Sequence, residues 1–208
     1  RFAQYSTELY AHLPEYDHPR RTYSQVGSFE LARTRERWQD LKRLHNAAQS
    51  YDVETALLSS REAQQMWPII NPDVFEGVLH IPSSALVSGE CVTGSMALEA
   101  QATGGCEIVP NTHVGDIEIE KSRVTAVLTD NPDLPRIECE HVLLCTNIWG
   151  PVLSDKLQIP LPLLAFEHQY VITEPLSELN QFDSKNRDDE AVLPFIRDLD
   201  RTMYYRNH

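Results

Sequence analysis

The chain has 208 residues, 41% hydrophobic and 24% charged, an ordinary globular composition long enough for one sizeable core or two modest ones. Its formal net charge of −13, from 31 acidic and 18 basic residues, repels nucleic-acid backbones and anionic membrane surfaces. No stretch approaches the roughly 18 consecutive apolar residues of a spanning helix, and Arg1 to Tyr10 carries no apolar signal-peptide core.

Phe2, Tyr5, Leu9 and Leu13 recur at helical spacing until Pro14 and Pro19 end the run. Tyr23 to Ala32, with Val26, Phe29 and Leu31 around Gly27, predicts a bent strand. A charged helix from about Thr34 follows, with Trp38, Leu41 and Leu44 on one side and a solvated face of Arg35, Glu36, Arg37, Asp40 and Lys42. Leu58 to Pro68 opens on hydroxyl caps and stops at proline, which predicts a short helix presenting Met66 and Trp67. Phe75 to Pro82 is a strand. Ser88 to Gly105 is a helix with Val92, Met96 and Ala100 inward and Gly104-Gly105 as its stop, and the strand Cys106 to Pro110 after it makes half of a βαβ unit.

Two alternating runs, Thr112 to Ile119 and Arg123 to Thr129, predict a hairpin through Glu120-Lys121-Ser122. Arg136 to Glu138 completes a meander, and the apolar run His141 to Cys145 predicts a strand covered on both faces. Trp149 to Leu157 is helical or turning. Beyond Pro160, a strand from Ala165 to Thr173 places Phe166, His168, Tyr170 and Ile172 on one face. An acidic loop occupies Glu174 to Glu190, and Val192 to Arg206 predicts two strands around an Asp198 to Arg201 turn. The opening Arg-Phe-Ala-Gln in mid-pattern, and an end at His208 just after a strand, read as an internal fragment of a longer protein. Cys91, Cys106, Cys139 and Cys145 lack CxxC spacing and read as reduced core thiols of an intracellular compartment, cytoplasmic or, in a eukaryote, the mitochondrial matrix.

No GxGxxG, P-loop, HExxH or GxSxG is present, and no metal-ligand set is read. From spacing alone His168 is a hydrogen-bonded strand histidine and Tyr204-Tyr205 are edge-strand aromatics. The order of the blocks Gln25-Val-Gly-Ser-Phe-Glu-Leu-Ala, Met66-Trp-Pro-Ile-Ile, Thr112-His-Val-Gly-Asp-Ile, Cys145-Thr-Asn-Ile-Trp-Gly, Glu167-His-Gln-Tyr-Val-Ile-Thr and Leu193-Pro-Phe-Ile-Arg-Asp adds more. Together they resemble the dimethylglycine and sarcosine dehydrogenase branch of the glycine-oxidase-like flavoproteins, across nearly the whole chain.

The resemblance implies a mixed α+β and α/β fold, part of an FAD-binding, glycine-oxidase-like architecture with a flavin-side α/β layer and a mostly antiparallel substrate-side sheet. Residues 1–22 would be a helix of the flavin-side layer, 23–89 a first visit to the substrate-side layer, 90–159 the flavin-binding layer and 160–208 a second, truncated visit. The family's pyrophosphate loop and any histidine covalently linked to FAD would precede Arg1. The folate-binding region, and with it tetrahydrofolate, would follow His208.

By the same resemblance Val114 borders the adenine, while Cys145, Thr146, Asn147 and Trp149 form the turn that approaches the cofactor, because ligands of open α/β layers collect at strand carboxyl ends. Where relatives have Ala-Gly this chain has Thr146-Asn147, and asparagine tolerates a left-handed turn. His168 and Tyr204 match positions lining the pocket over the flavin. A base and a hydroxyl suit an amine that must lose its proton before hydride can leave a neighbouring methyl. Arg206 and Arg197 are candidates to hold a substrate carboxylate.

The implied activity is FAD-dependent oxidation of the CH–NH group of dimethylglycine or sarcosine, with oxygen or an electron-transfer flavoprotein as acceptor. The alternatives are a non-catalytic regulatory subunit of the same fold and another amino-acid oxidase of the family.

Overall fold

The computed structural model describes residues 2–14, 16, 22–179 and 193–207. Pro19, the acidic stretch from 180 to Glu190, and Val192, all read from sequence above, lie outside the described residues. In chain order the elements are α1 (Phe2–Ala11), β1 (Tyr23–Gln25), β2 (Ser28–Ala32), α2 (Arg35–Gln49), β3 (Ala56–Ser59), α3 (Ser60–Met66), β4 (Gly77–Ile81), β5 (Ala85–Val87), α4 (Gly89–Ala102), β6 (Val114–Glu120), β7 (Arg123–Thr129), β8 (Arg136–Glu138), α5 (Gly150–Lys156), β9 (Phe195–Asp198) and β10 (Met203–Tyr205). They form two compact units, Arg1–Cys106 with Thr173–His208, and Glu107–Ile172.

The first unit is built on a five-stranded sheet of order β10-β9-β2-β4-β3, in which only the β2–β9 pair is parallel. Such a sheet is the mostly antiparallel one expected. All five residues of β2 are buried, as a central strand requires. Gly27, at φ +78°, makes the expected bend by separating β2 from β1, which pairs instead with β5. On one sheet face Phe29, Leu31, Val78 and Ile196 pack with Ala63 and Trp67 of the α3 region, Phe75 and Leu193. On the other face Ala32 and Leu79 pack against Leu41 of α2, flanked by Trp38 and Leu57. Gly77 permits the second contact, since a Cβ there would stand 2.7 Å from the Leu58 carbonyl oxygen and 2.9 Å from the Trp38 ring.

Caps bound the helices as their sequences require. The Thr34 hydroxyl accepts the Arg37 N–H at 3.1 Å. Ser59 and Glu62 close a capping box on α3, and Ser88 accepts the Cys91 N–H at the start of α4. Trp67 is buried, its indole N–H donating to the Pro194 carbonyl at 2.5 Å, which ties α3 to the approach to β9.

The helix faces differ from expectation in two places. Leu44 and Met96 are exposed, and in α4 the buried face is Cys91, Val92 and Ser95, because the Ser95 hydroxyl donates to the Pro14 carbonyl and turns that edge inward.

The second unit holds the predicted meander β6-β7-β8. Lys121 and Ser122 both take positive φ, 50° and 63°, the geometry of a two-residue hairpin turn. Lys156 in α5 donates to the Gly115 carbonyl at 2.6 Å, fastening the helix to β6.

Three predicted strands are not formed. Residues 106–110, 141–145 and 165–173 run without ladder partners among the described residues, and most of their side chains are exposed, including Leu143, Phe166, Tyr170 and Val171 at 81–88%. An apolar run marks a segment that can pair, but a strand exists only where another backbone accepts its N–H groups. The cysteine reading changes for the same reason. Cys91 alone is buried, while Cys106 and Cys145, on the unpaired segments, are exposed.

Candidate functional site

In the first unit, strand register puts three polar side chains in one row. Glu30 on β2 stands opposite Arg197 on β9, and Arg197 opposite Tyr204 on β10, so all three project from the same sheet face. Glu30 is 6% exposed and accepts from Arg197 Nη1 at 2.8 Å. The Arg197 side chain is 51% exposed, and Tyr204 is 69% exposed. Arg206, beyond the end of β10, is also exposed. The structure therefore joins Arg197 and Tyr204 and leaves Arg206 outside the strand pair.

Past this row, the turn between β9 and β10 is held by two carboxylates. Asp198 is fully buried, its Oδ2 accepting from Arg33 Nε at 2.6 Å while Oδ1 has no hydrogen-bond partner among the described residues. Asp200 accepts from the Arg33 backbone N–H and from Arg37 Nε, both at 3.0 Å. Desolvation works against the Asp200 carboxylate. The two hydrogen bonds and the charges of Arg37 and Arg33 outweigh it and hold its pKa below the ordinary aspartate value. On the opposite face of the sheet, His80 meets Phe29 edge to face at 5.3 Å. Burial lowers the His80 pKa, opposed in part by the charge of Glu54.

In the second unit, residues 146–150 form the turn read as the cofactor approach. Asn147 takes φ +46°, so the left-handed turn forms without glycine. Thr146 accepts the Trp149 N–H at 3.0 Å, and Ile148 and Trp149 are 51% and 67% exposed. Gly150 is buried, and a Cβ there would stand 2.8 Å from Leu161 Cδ2, which lets the chain at 161–163 close on this turn. Cys145 is exposed and ends no paired strand. Val114 opens β6, half-buried, beside the Gly115 carbonyl that receives Lys156. His168 belongs to this unit and is exposed on a segment that joins no ladder among the described residues, not on the strand face expected.

Sequence reasoning passed over Glu30, Arg33 and Asp198. The signal for Glu30 was a lone charge within Phe29-Glu30-Leu31-Ala32, a run too apolar for a half-exposed strand. Nothing in the spacing of Arg33 and Asp198, 165 residues apart, announced their bond.

The family described as FAD dependent oxidoreductase matches residues 1–208, so the chain belongs to that family. Among its relatives, the mitochondrial pyruvate dehydrogenase phosphatase regulatory subunit of Mus musculus is 29% identical over 209 residues, covering 100% of this chain and 22% of that protein. The mitochondrial sarcosine dehydrogenase of Mus musculus is 26% identical over 189 residues, covering 88% of the chain and 19% of that protein. The mitochondrial dimethylglycine dehydrogenase of Homo sapiens is 22% identical over 201 residues, covering 97% and 22%. A crystal structure of L-proline dehydrogenase from P. horikoshii shares the fold at a TM-score of 0.62 and 20% identity, over 75% of this chain and 38% of that one. The chain thus spans only 19–22% of the length of these curated relatives.

Proposed function

We infer that the whole protein oxidises a small N-methylated glycine, dimethylglycine first and sarcosine second, using FAD. The observation that carries this reading is the Glu30–Arg197–Tyr204 row, which offers a guanidinium and a phenol side by side on a sheet of a family that works with FAD. Residues 90–159 are assigned to the flavin side, 23–89 and 160–208 to the substrate side, and residues 1–22 to a helix of the flavin layer.

In this reading Arg197, with Arg206 as the second candidate, holds the substrate carboxylate by paired N–H donors. His168 takes the ammonium proton and Tyr204 orients the amine, because only the neutral lone pair assists hydride loss from an adjacent methyl. FAD, when bound, accepts that hydride with its two electrons. The resulting iminium adds water and releases formaldehyde and the demethylated amine, or gives its carbon to tetrahydrofolate. Val114, Cys145, Thr146, Asn147 and Trp149 border the cofactor, with Asn147 providing the turn. Oxygen or an electron-transfer flavoprotein then takes the electrons, and the mitochondrial relatives favour the matrix as the site of action.

The test is anaerobic stopped-flow bleaching of the flavin of the whole protein by dimethylglycine, with sarcosine, proline and glycine as competitors for the assignment. Bleaching fastest with dimethylglycine or sarcosine supports the reading, and preference for proline or glycine moves the protein to another amino-acid oxidase. A second reading rests on the 29% identical regulatory subunit, which matches the entire chain. It predicts no bleaching by any of the four amines.

A further inference from the structure

Glu30 sits where a charge is least welcome. It occupies the middle of the central strand of a five-stranded sheet, 6% exposed, and its neighbour across β4 in the same row is Leu79, followed by Leu57 on β3. A leucine at position 30 would extend that apolar row. Taking a carboxylate out of water costs several kcal/mol, and a single ion pair seldom returns more than an apolar residue of like volume would. Stability therefore gives no reason for a glutamate here.

Its partner gives one. Among the described residues Glu30 is the only group bonded to Arg197, and it uses Nη1 alone. The Nε and Nη2 edge of the guanidinium remains open, on a side chain 51% exposed, with the Tyr204 strand next to it. An unanchored arginine on a strand samples many rotamers and loses that freedom when it binds, whereas one gripped at Nη1 presents its remaining fork in a single orientation.

We propose that Glu30 is the positioning residue for Arg197: a buried carboxylate that anchors one end of the guanidinium so that its Nε–Nη2 edge receives the carboxylate of the substrate. This rests on the amine-oxidation reading for the identity of the substrate, but not for the carboxylate binding itself.

The experiment uses the whole flavin-loaded protein and phenylglyoxal, with the fraction of Arg197 modified read by peptide mass spectrometry. Sodium acetate is the carboxylate probe and dimethylamine the amine without a carboxylate. In the wild type, acetate protects Arg197 and dimethylamine does not. In Glu30→Gln and Glu30→Leu the half-protecting acetate concentration rises roughly tenfold or more, the difference between a charge-assisted anchor and a weaker or absent one.

Glu30→Leu melts at or above the wild-type temperature, because the arginine left behind keeps half of its side chain in water and no carboxylate has to be desolvated. Glu30→Gln, the near-isosteric change, serves if the leucine variant does not fold. Equal protection in wild type and variants overturns the proposal, as does a wild type that acetate fails to protect, or loss of cooperative melting in both variants. Amine oxidation is judged separately by flavin bleaching, so protection without bleaching refutes the substrate reading and leaves Glu30 in its role.

Discussion

Replacing Arg33 by methionine removes the only side-chain partner, among the described residues, of a carboxylate that has no access to water. Asp198 is 0% exposed, its Oδ1 already lacks a partner among those residues, and its Oδ2 relies on Arg33 Nε at 2.6 Å. Breaking a buried pair from one side costs about 3–5 kcal/mol. The Arg33 side chain keeps 20% of its surface in water, so the lower end, about 3 kcal/mol, is expected. With an m-value of about 2 kcal/mol/M, that moves the urea midpoint down by roughly 1.5 M.

The assay is equilibrium urea unfolding followed by tryptophan fluorescence, since Trp67 reports on the adjoining core. In Arg33→Met/Asp198→Asn the buried charge is gone as well, and much of the loss returns, giving a coupling of at least about 1 kcal/mol. An Arg33→Met midpoint within the error of the wild type would refute the argument, and so would strictly additive losses in the double variant.

In the whole protein, His168→Ala slows flavin reduction by dimethylglycine by roughly 10²–10⁴-fold and displaces the pH inflection, while Tyr204→Phe slows it less because the ring remains. Stopped-flow bleaching at saturating substrate separates chemistry from binding, and an unchanged His168→Ala rate removes the histidine from the mechanism. Gly77→Ala places a methyl 2.7 Å from a backbone oxygen and 2.9 Å from Trp38, and the strain lowers stability by about 1–3 kcal/mol in the same urea assay.

His80 has a folded pKa below its unfolded value of about 6.5, so the unfolded chain binds the proton first. Its contribution is complete above about pH 6.5 and is lost as pH falls through that value toward the folded pKa. His80→Gln removes that part of the pH slope of the melting temperature, and an unchanged slope between about pH 5 and 7 would exclude His80 as its source.

Local chemistry was legible wherever a short stretch carried its own constraint. The caps at Thr34, Ser59 and Ser88, the hairpin at Lys121-Ser122, the meander and the turn after Asp198 all follow from residues within a few positions of one another. The tolerance of Asn147 for a left-handed turn was likewise readable in the residue itself. Arg197 and Tyr204 were legible as candidates, but not as cross-strand neighbours. Helix faces were less secure, since Ser95 proved more buried than Met96 once Pro14 supplied an acceptor.

By itself, then, the sequence determined element type where period and capping agree, and the order of blocks that leads to the FAD dependent oxidoreductase family. Only the tertiary structure decided which apolar runs become strands, because pairing depends on a second backbone that no local pattern encodes. Ala165 to Thr173 alternates as a strand should and has no ladder among the described residues, whereas Phe195 to Asp198 finds β2, its paired residues 167 positions away in sequence, and with it the Glu30–Arg197 bond. A buried charge pair is a meeting of distant residues, so burial and partner appear together and only in the folded chain.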